Sequence, residues 1–329
     1  MAISRRSIYD EALVWDNHAC LPMSQRKARR YLPELERYRR AGVAVVSINV
    51  GYGEMSFDEH VAFARFLRAT VAALGDGYAL IDSVADIEAA RARGALAVCF
   101  DVEGAAPIDP ELTRVAVLHA LGVRWMLIAY NRNNPFGGGC HDDDAGLTSL
   151  GRKLITEMNR VGIVVCASHT GYRTARDAID ASAQPIIFSH SNPRALHDHP
   201  RNIPDELIRA CAARGGVVGI NGVGLFLGDN DTSAERMARH VDYAVQLVGA
   251  DHVGIGTDYV FALAELEAEL AASNGSFPAG WGYEGPIDFA PPERLRELAE
   301  NLSRRGYGDA DLAAILGGNF MRIARRVWK

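Results

Sequence analysis

The chain has 329 residues, of which 48% are apolar and 23% are charged, and its formal net charge is −6. These values are ordinary for a soluble globular protein, and they exclude a collagen, a disordered tail and a small disulfide scaffold. The excess of acidic residues argues against a nucleic-acid partner, which would require a basic face. No apolar run approaches the ~20 residues that a membrane span needs.

The N-terminal stretch, MAISRRSIYDEALVWDNH, contains a basic pair but no apolar segment after it. It is therefore not a secretory signal as it stands. We expect a cytoplasmic protein, in which the five cysteines are thiols. Their odd number and the lack of a Cys-x-x-Cys pair in the sequence argue against a disulfide framework or a zinc ribbon.

Short β-branched runs alternate along the chain with longer segments of helical spacing. Eight strands are predicted, at residues 12–15, 43–50, 95–101, 125–130, 163–167, 185–189, 216–221 and 252–257. Helices are predicted between them, at residues 57–74, 111–121, 149–161, 173–181, 204–214 and 233–248. Eight such alternations favour an α/β fold of the closed (β/α)8 TIM barrel type. A doubly wound open sheet is the competing interpretation, but the stretch after the first strand, DNHACLP, lacks the phosphate-binding glycine loop of such a sheet.

Residues 259–289 interrupt this rhythm with glycines, prolines and aromatic residues. A long loop in a compact domain is usually functional or disordered. After the eighth barrel strand it would lie over the catalytic face, so we predict a lid there, followed by closing helices at residues 291–302 and 309–315. The whole chain, residues 1–329, is then one barrel domain.

Ionisable residues cluster where five of the predicted strands end, and these are His18, Glu103, His169, His190 and Asp258. In a barrel, such residues point into one mouth. Each alone is a weak signal, because a single histidine at a strand end is more often an ordinary polar residue. Three imidazoles and two carboxylates together form a set of metal ligands, and imidazole suits zinc. By contrast, His141, His197 and His199 are interpreted as residues of polar loops. The pair His197 and His199 could bind a metal, but a solvated loop is the favoured interpretation.

These residues, in this order, resemble the membrane (renal) dipeptidase family of the amidohydrolase superfamily, over residues 14–322. The matching segments are DNHACLP, DVEGAAPI, AYNRNN, GLTSLGRKLITEMNRVGIVVCASH, FSHSNPRALHDHPRNIPDELI, HVGIGTDY and ILGGNFMRIARR. The resemblance implies a barrel that holds two zinc ions. His18 would bind the first ion, Glu103 would bridge both, and His169 and His190 would bind the second.

The resemblance also implies roles for residues around the metals. Asp258 looks like the acidic residue that lies near the first ion and its bridging water. It would accept the proton of this water and pass it to the leaving amine. Arg201 looks like the arginine that grips the carboxylate of the substrate. The implied reaction is hydrolysis of a small amide, most simply a dipeptide with a free carboxylate, with the lid closing over the site; a homodimer is left open.

The sequence departs from the family at two positions. The family motif His-x-Asp reads His18–Ala19–Cys20 here, so either a thiolate replaces a carboxylate as a ligand, or the first metal site is weak or empty. Tyr130 stands where the family's dipeptidase has a histidine, and its hydroxyl could donate to an oxyanion. Two alternatives therefore stay open: a lyase, tautomerase or esterase acting on a specialised metabolite, and a binding protein whose catalytic centre has decayed.

Overall fold

Parallel strands dominate the computed structural model, which describes residues 7–53, 55–272 and 275–329. The strands are β1 (Trp15–Cys20), β2 (Val45–Tyr52), β3 (Tyr78–Leu80), β4 (Leu96–Glu103), β5 (Val123–Leu127), β6 (Val164–Cys166), β7 (Ile187–Phe188), β8 (Val217–Ile220), β9 (Val253–Ile255) and β10 (Tyr259–Val260). β3 pairs only with the first half of β4. The other strands form one continuous parallel sheet in chain order, except that β10 pairs with β1.

The last barrel position is shared by β9 and β10, which are consecutive pieces of one segment. β9 pairs with β8, and β10 pairs with β1, so this segment closes the sheet into an eight-position barrel. Two hydrogen bonds reinforce the closure: Asp258 N–H donates to the His18 carbonyl (3.0 Å), and Thr257 N–H donates to the Asp16 carboxylate (2.7 Å). The predicted (β/α)8 architecture is confirmed, and Asp258 lies in the gap between the two pieces.

Helices connect successive strands and cover the barrel. They are α1 (Ile8–Glu11), α2 (Gln25–Tyr31), α3 (Leu35–Arg40), α4 (Phe57–Ala72), α5 (Val84–Ala92), α6 (Arg114–Ala120), α7 (Ser149–Val161), α8 (Tyr172–Ala181), α9 (Asp205–Ala213), α10 (Gly224–Leu227), α11 (Ala234–Val248), α12 (Leu263–Ala272), α13 (Arg294–Arg304), α14 (Asp309–Ala313) and α15 (Asn319–Val327). Local sequence sets several ends: Ser56 and Glu59 form a capping box at the start of α4. Gly162, with φ 101°, ends α7 in the left-handed conformation.

The first strand begins three residues later than predicted and continues for five residues beyond the predicted end. The prediction at residues 12–15 followed the apolar run, whereas the observed strand Trp15–Cys20 contains Asp16, Asn17 and His18. Apolar patterning fails here because buried polar side chains occupy the strand. His18 therefore lies within β1 and not after it. The sequence prediction also placed no helix at α1, α2, α3, α5, α10 or α15, and its single long loop at residues 259–289 is wrong because α12 lies within it.

The predicted lid at residues 259–289 contains β10, α12 and a loop that begins at residue 275. Residues 273 and 274 of this lid, and residues 1–6 of the stretch inspected for a secretory signal, lie outside the described residues. Within the described part of the chain, no helix has the length and apolar character required to cross a bilayer.

The end of the barrel opposite the strand carboxyl ends is filled by the C-terminal helix. Phe320 of α15 is 3% exposed and packs against Trp15, with ring centroids 6.1 Å apart. Gly219 and Gly254 leave room for this ring, because a Cβ at either position would lie within 3.2 Å of it. α15 therefore closes the bottom of the barrel, and the opposite mouth remains for polar chemistry.

Phe320→Ala should lower the free energy of unfolding by about 3–5 kcal/mol, because it leaves a cavity where an aromatic ring fills the barrel. Urea denaturation followed by circular dichroism measures this change. Phe320→Leu, which retains most of the apolar volume, should cost clearly less. A loss below about 1 kcal/mol for the alanine variant would show that α15 does not support the barrel.

Candidate active site

Five ionisable side chains meet at the carboxyl end of the barrel. His18 comes from β1, Glu103 from the end of β4, His169 and His190 from the loops after β6 and β7, and Asp258 from the gap between β9 and β10. The Nε2 atoms of the three histidines each lie 3.3 Å from Glu103 Oε1. Asp258 Oδ1 lies 3.5 Å from His18 Nε2. The structure thus brings together all five residues that the strand-end pattern selected.

Each imidazole of the cluster is oriented by a hydrogen bond at its Nδ1 atom. The pairs are His18 with Asp101 (3.3 Å), His169 with Asn131 (2.7 Å) and His190 with Ser189 (2.7 Å). A carboxylate or an amide oxygen can only accept, so Nδ1 of His18 and of His169 carries the proton. The Nε2 atoms of these rings face Glu103. This arrangement is typical of histidines that bind metal ions, whose other nitrogen is held by an acceptor.

The cluster fits a metal ion better than a set of internal hydrogen bonds. Glu103 Oε1 is buried, and no hydrogen bond of good geometry from a described residue reaches it. His169 Nε2 and His190 Nε2 are only 2.9 Å apart. Three groups have potential ligand atoms within 4.8 Å of one another: His18, His190 and Asp258; His18, Cys20 and Glu103; and Glu103, His169 and His190. Convergent imidazole and carboxylate donors of this kind suit a divalent cation.

Cys20 lies beside the cluster, at the end of β1. Its Sγ is 3.4 Å from His18 Nε2 and 3.7 Å from Asp258 Oδ1. Burial raises the pKa of this thiol far above its ordinary value, so the sulfur keeps its proton while no cation is near. Only the thiolate is a metal ligand, so coordination by Cys20 requires the charge of a bound ion.

Burial also sets the protonation of the other groups at the mouth. It raises the pKa of Tyr130 well above the ordinary value, so the phenol remains a hydrogen-bond donor. It raises the pKa of Asp258, whose Oδ2 accepts a hydrogen bond from Asn221 Nδ2 (2.9 Å). Burial, assisted by the charge of Arg201, lowers the pKa of His169 to about 3. His169 is therefore a neutral imidazole at neutral pH, as a metal ligand must be.

Backbone strain is concentrated at the same mouth. Asn131, His169 and Asp258 have φ values of 58°, 59° and 60°, in the left-handed region that residues with a Cβ rarely adopt. Such conformations are costly, and they persist where the surrounding structure over-determines them. At this site they turn the chain at the ends of three strands and direct His169 and Asp258 toward Glu103.

Arg201 provides a buried positive charge near the cluster. The residue is 2% exposed, Nη2 donates to the His190 carbonyl (3.3 Å), and among the described residues Nε has no hydrogen-bond partner. The guanidinium carbon lies 5.2 Å from the centroid of the Phe226 ring. Arg201 forms no ion pair within residues 7–53, 55–272 and 275–329. A buried, unpaired cation is costly, so this guanidinium is a candidate anion-binding group.

Two histidines that the sequence analysis placed in polar loops, His141 and His199, are buried under the lid, so the solvated loop favoured for His199 is wrong. His141 Nδ1 donates to the Ser276 carbonyl (2.8 Å), and His199 Nε2 donates to the Trp281 carbonyl (3.1 Å). Tyr283 OH donates to His141 Nε2 (3.3 Å). Sequence patterning carried no sign of these roles, because the partners are backbone carbonyls distant in the chain. The third, His197, has an intermediate exposure.

Sequence reasoning also left several positioning residues without a role. Asp101, Asn131 and Ser189 hold the three cluster imidazoles, and Asn221 holds Asp258. All four are polar residues at strand ends, which was the only available signal. That signal does not distinguish a residue that faces a metal from one that holds a ligand.

Comparisons with known proteins agree with this geometry. The model of the family described as "Membrane dipeptidase (Peptidase family M19)" matches residues 6–271. An uncharacterized protein from the pqqA 5' region of Klebsiella pneumoniae is 30% identical over 259 residues, which cover 75% of this chain and 88% of the relative. Dipeptidase 3 of Rattus norvegicus is 27% identical, over 76% of this chain and 49% of the relative.

A solved structure of an amidohydrolase from Pseudomonas aeruginosa superposes with a TM-score of 0.89 at 27% identity, and the match covers 98% of each chain. The chain spans about half the length of several of the curated dipeptidases that it matches. The likeness to the solved structure, by contrast, extends over the whole barrel, its lid segment and α15.

Glu103→Gln should bind at least one equivalent less of divalent metal, because it removes the negative charge that all three imidazoles face while preserving side-chain shape. Elemental analysis of dialysed protein by mass spectrometry measures the bound metal. Glu111→Gln, on the exposed side chain of another glutamate, is the matched control and should keep the full content. Equal metal content in both variants would exclude Glu103 as a ligand.

Acidification should weaken the fold through the histidines under the lid. Burial, with Arg201 nearby, lowers the pKa of His141 and of His199 to about 4, against about 6.5 in an unfolded chain. Between these values the unfolded state binds more protons, so the free energy of unfolding falls as the pH falls from about 6.5 to about 4. The slope is at most about 1.4 kcal/mol per pH unit for each imidazole.

Urea denaturation across this pH range, with a chelator present to remove metal effects, tests this expectation. The double variant His141→Asn, His199→Asn should have a shallower dependence on pH within the window and the same dependence as the parent above pH 7. An unchanged slope inside the window would show that the two histidines are not neutral in the folded protein.

Proposed function

The chain belongs to the membrane dipeptidase family, and from that premise we propose that it is a metal-dependent hydrolase that cleaves the amide bond of small dipeptides. The observation that carries the proposal is the convergence of three imidazole Nε2 atoms on one buried carboxylate oxygen, Glu103 Oε1, at the mouth of the barrel. The unpaired guanidinium of Arg201 at the same mouth supports a substrate with a free carboxylate.

We propose that two zinc ions occupy the cluster. His18, Cys20 and Asp258 would hold the first ion, His169 and His190 would hold the second, and Glu103 would bridge them. When bound, zinc lowers the pKa of a coordinated water to near neutrality and polarises a carbonyl.

The protein's own side chains would then position the substrate and move protons. Asp258 has one oxygen, Oδ1, free of the Asn221 hydrogen bond, and this oxygen would accept the proton of the attacking water and deliver it to the leaving amine. The protonated phenol of Tyr130 would donate to the oxyanion that develops on the carbonyl oxygen. Arg201 would pair with the carboxylate of the substrate through two parallel hydrogen bonds, which favours short substrates.

A second candidate function is a different reaction at the same centre, such as ester hydrolysis, elimination or tautomerisation of a specialised metabolite. The observation that favours it is Cys20, whose Sγ lies 3.4 Å from His18 Nε2 where the family motif has an aspartate. A softer ligand donates more charge to the metal and so weakens its Lewis acidity. A panel of dipeptides, esters, lactones and simple amides separates the two candidates by their relative kcat/KM.

Removal of the metal should abolish dipeptide hydrolysis. A chelator should reduce the rate to background, and added zinc should restore it, because the water nucleophile depends on the ion. The rate is followed by release of the free amino acid, with circular dichroism as a control for folding. Full activity in a metal-free preparation would reject the proposed mechanism.

Arg201→Met should lower kcat/KM for Leu-Ala by about 10- to 100-fold, mainly through KM, because a charge-assisted hydrogen-bond pair to the substrate is lost. For the parent enzyme, kcat/KM should fall by a similar factor when Leu-Ala is replaced by Leu-alaninamide, which lacks the carboxylate. For the variant, kcat/KM should not fall further when this substrate is used. The matched control is Arg194→Met, because the Arg194 guanidinium donates its hydrogen bonds to the carbonyls of Asn202 and Pro200. Additive losses from the variant and the capped substrate would mean that Arg201 does not contact the carboxylate.

A further inference from the structure

A cleft connects the metal-ligand cluster to the solvent. It encloses about 970 Å³ including its open entrance, and it lies between the barrel mouth and the lid. Of its described lining residues, only Glu103, Arg201 and Asp258 carry a charge. Glu103 and Asp258 belong to the cluster, so Arg201 is the one charged lining residue left for a substrate.

The two sides of the cleft differ in chemistry. Arg201 follows β7, and near it lie the aromatic rings of Phe226 and Tyr283, whose centroids are 6.3 Å apart. Two and three strand positions further around the eight-position barrel, residues at or after β10 and β1 form another side of the cleft. We call this side the aliphatic wall, and it consists of Leu21, Met23, Val260, Ala262 and Leu266.

The aliphatic wall offers no partner for a charged or strongly polar group. Leu21 is 3% exposed and Ala262 is 3% exposed, so these side chains are already fixed by the barrel. A charged side chain placed here would lose its hydration without gaining a counter-charge, which is costly. An apolar side chain would instead remove from water its own surface and that of the half-buried Met23, Val260 and Leu266.

The position of the scissile bond relates the two sides to the substrate. The bond must lie at the metal-ligand cluster, and the terminal carboxylate must lie toward Arg201. The residue on the amino side of the bond then extends away from Arg201, toward the aliphatic wall. We propose that the site selects dipeptides whose amino-terminal residue bears a large apolar side chain, and that the aliphatic wall recognises that side chain. This inference rests on the proposed dipeptidase function.

A series of X-Ala dipeptides tests the selection with the zinc-loaded enzyme. With X as Leu, Met or Phe, kcat/KM should exceed the value for Ala-Ala by at least about tenfold, the effect of a few methylenes in an apolar pocket. The values of kcat/KM for Lys-Ala and Asp-Ala should be lower than the value for Ala-Ala. Leu-Ala should also be preferred to Ala-Leu, because only the amino-terminal side chain meets the wall. Equal values across the series, or a preference for Ala-Leu, would overturn the assignment.

A charged residue introduced into the aliphatic wall provides a second test. Met23→Glu should lower kcat/KM for Leu-Ala by at least about tenfold and raise it for Lys-Ala, whereas Met23→Leu, which conserves volume, should resemble the parent. Equal metal content in both variants shows that the cluster is intact. A similar loss for every substrate would overturn the wall's role, because specificity would then not depend on Met23.

Binding separates this inference from the proposed function. Calorimetric titration of the zinc-loaded parent enzyme with uncleavable reduced-amide analogues of Leu-Ala and of Lys-Ala measures selection without turnover. If the parent hydrolyses no dipeptide but still binds the Leu-Ala analogue more tightly, the proposed function fails and the wall's selectivity stands. If dipeptides are hydrolysed and both analogues bind equally, the function stands and the inference fails.

Discussion

The structure is organised around one buried carboxylate oxygen that three imidazole nitrogens approach to the same distance. Glu103 Oε1 lies 3.3 Å from Nε2 of His18, His169 and His190, with no hydrogen bond of good geometry to satisfy it. An unsatisfied buried charge is costly, and a cation at this point removes the cost. The barrel supplies the four residues from four different strand ends, which is the arrangement that allows their side chains to converge without crowding their backbones.

Rigid support for this convergence comes from both ends of the barrel. At the bottom, Phe320 fills the interior between Gly219 and Gly254, so apolar packing supports the hydrogen-bonded strands there. At the top, Asp101 and Asn131 fix two of the rings, and the left-handed backbone at His169 and Asp258 is held by surrounding contacts. The apolar packing is thus concentrated at the bottom of the barrel, where no chemistry occurs. The backbone strain is concentrated at the mouth, where it orients the candidate metal ligands.

Much of this arrangement could be predicted from the sequence, for physical reasons that also explain what could not. Buried parallel strands are apolar on both faces, so seven of the eight barrel strands were recognisable as short runs. β1 was misplaced because its inward side chains, among them Asp16 and His18, are the polar residues of the mouth. Strand-end position identified all five residues of the cluster. It could not assign Asn221 a partner or place His141 under the lid, because those contacts join segments far apart in the chain.

The contacts that hold the lid follow from the electrostatics of the mouth. Arg201 is a buried cation that no carboxylate of the described chain neutralises. If an ion pair lay beside it, the anion of that pair would compete for Arg201 and the cation would repel it. Near Arg201, two imidazoles contact the lid, His141 and His199, whose pKa values burial and Arg201 lower to about 4. Neutral donors secure the Ser276 and Trp281 carbonyls without adding charge. The positive charge of Arg201 and the negative charge of the cluster are therefore both left for partners from outside the protein, an anion and a cation, on either side of one cleft.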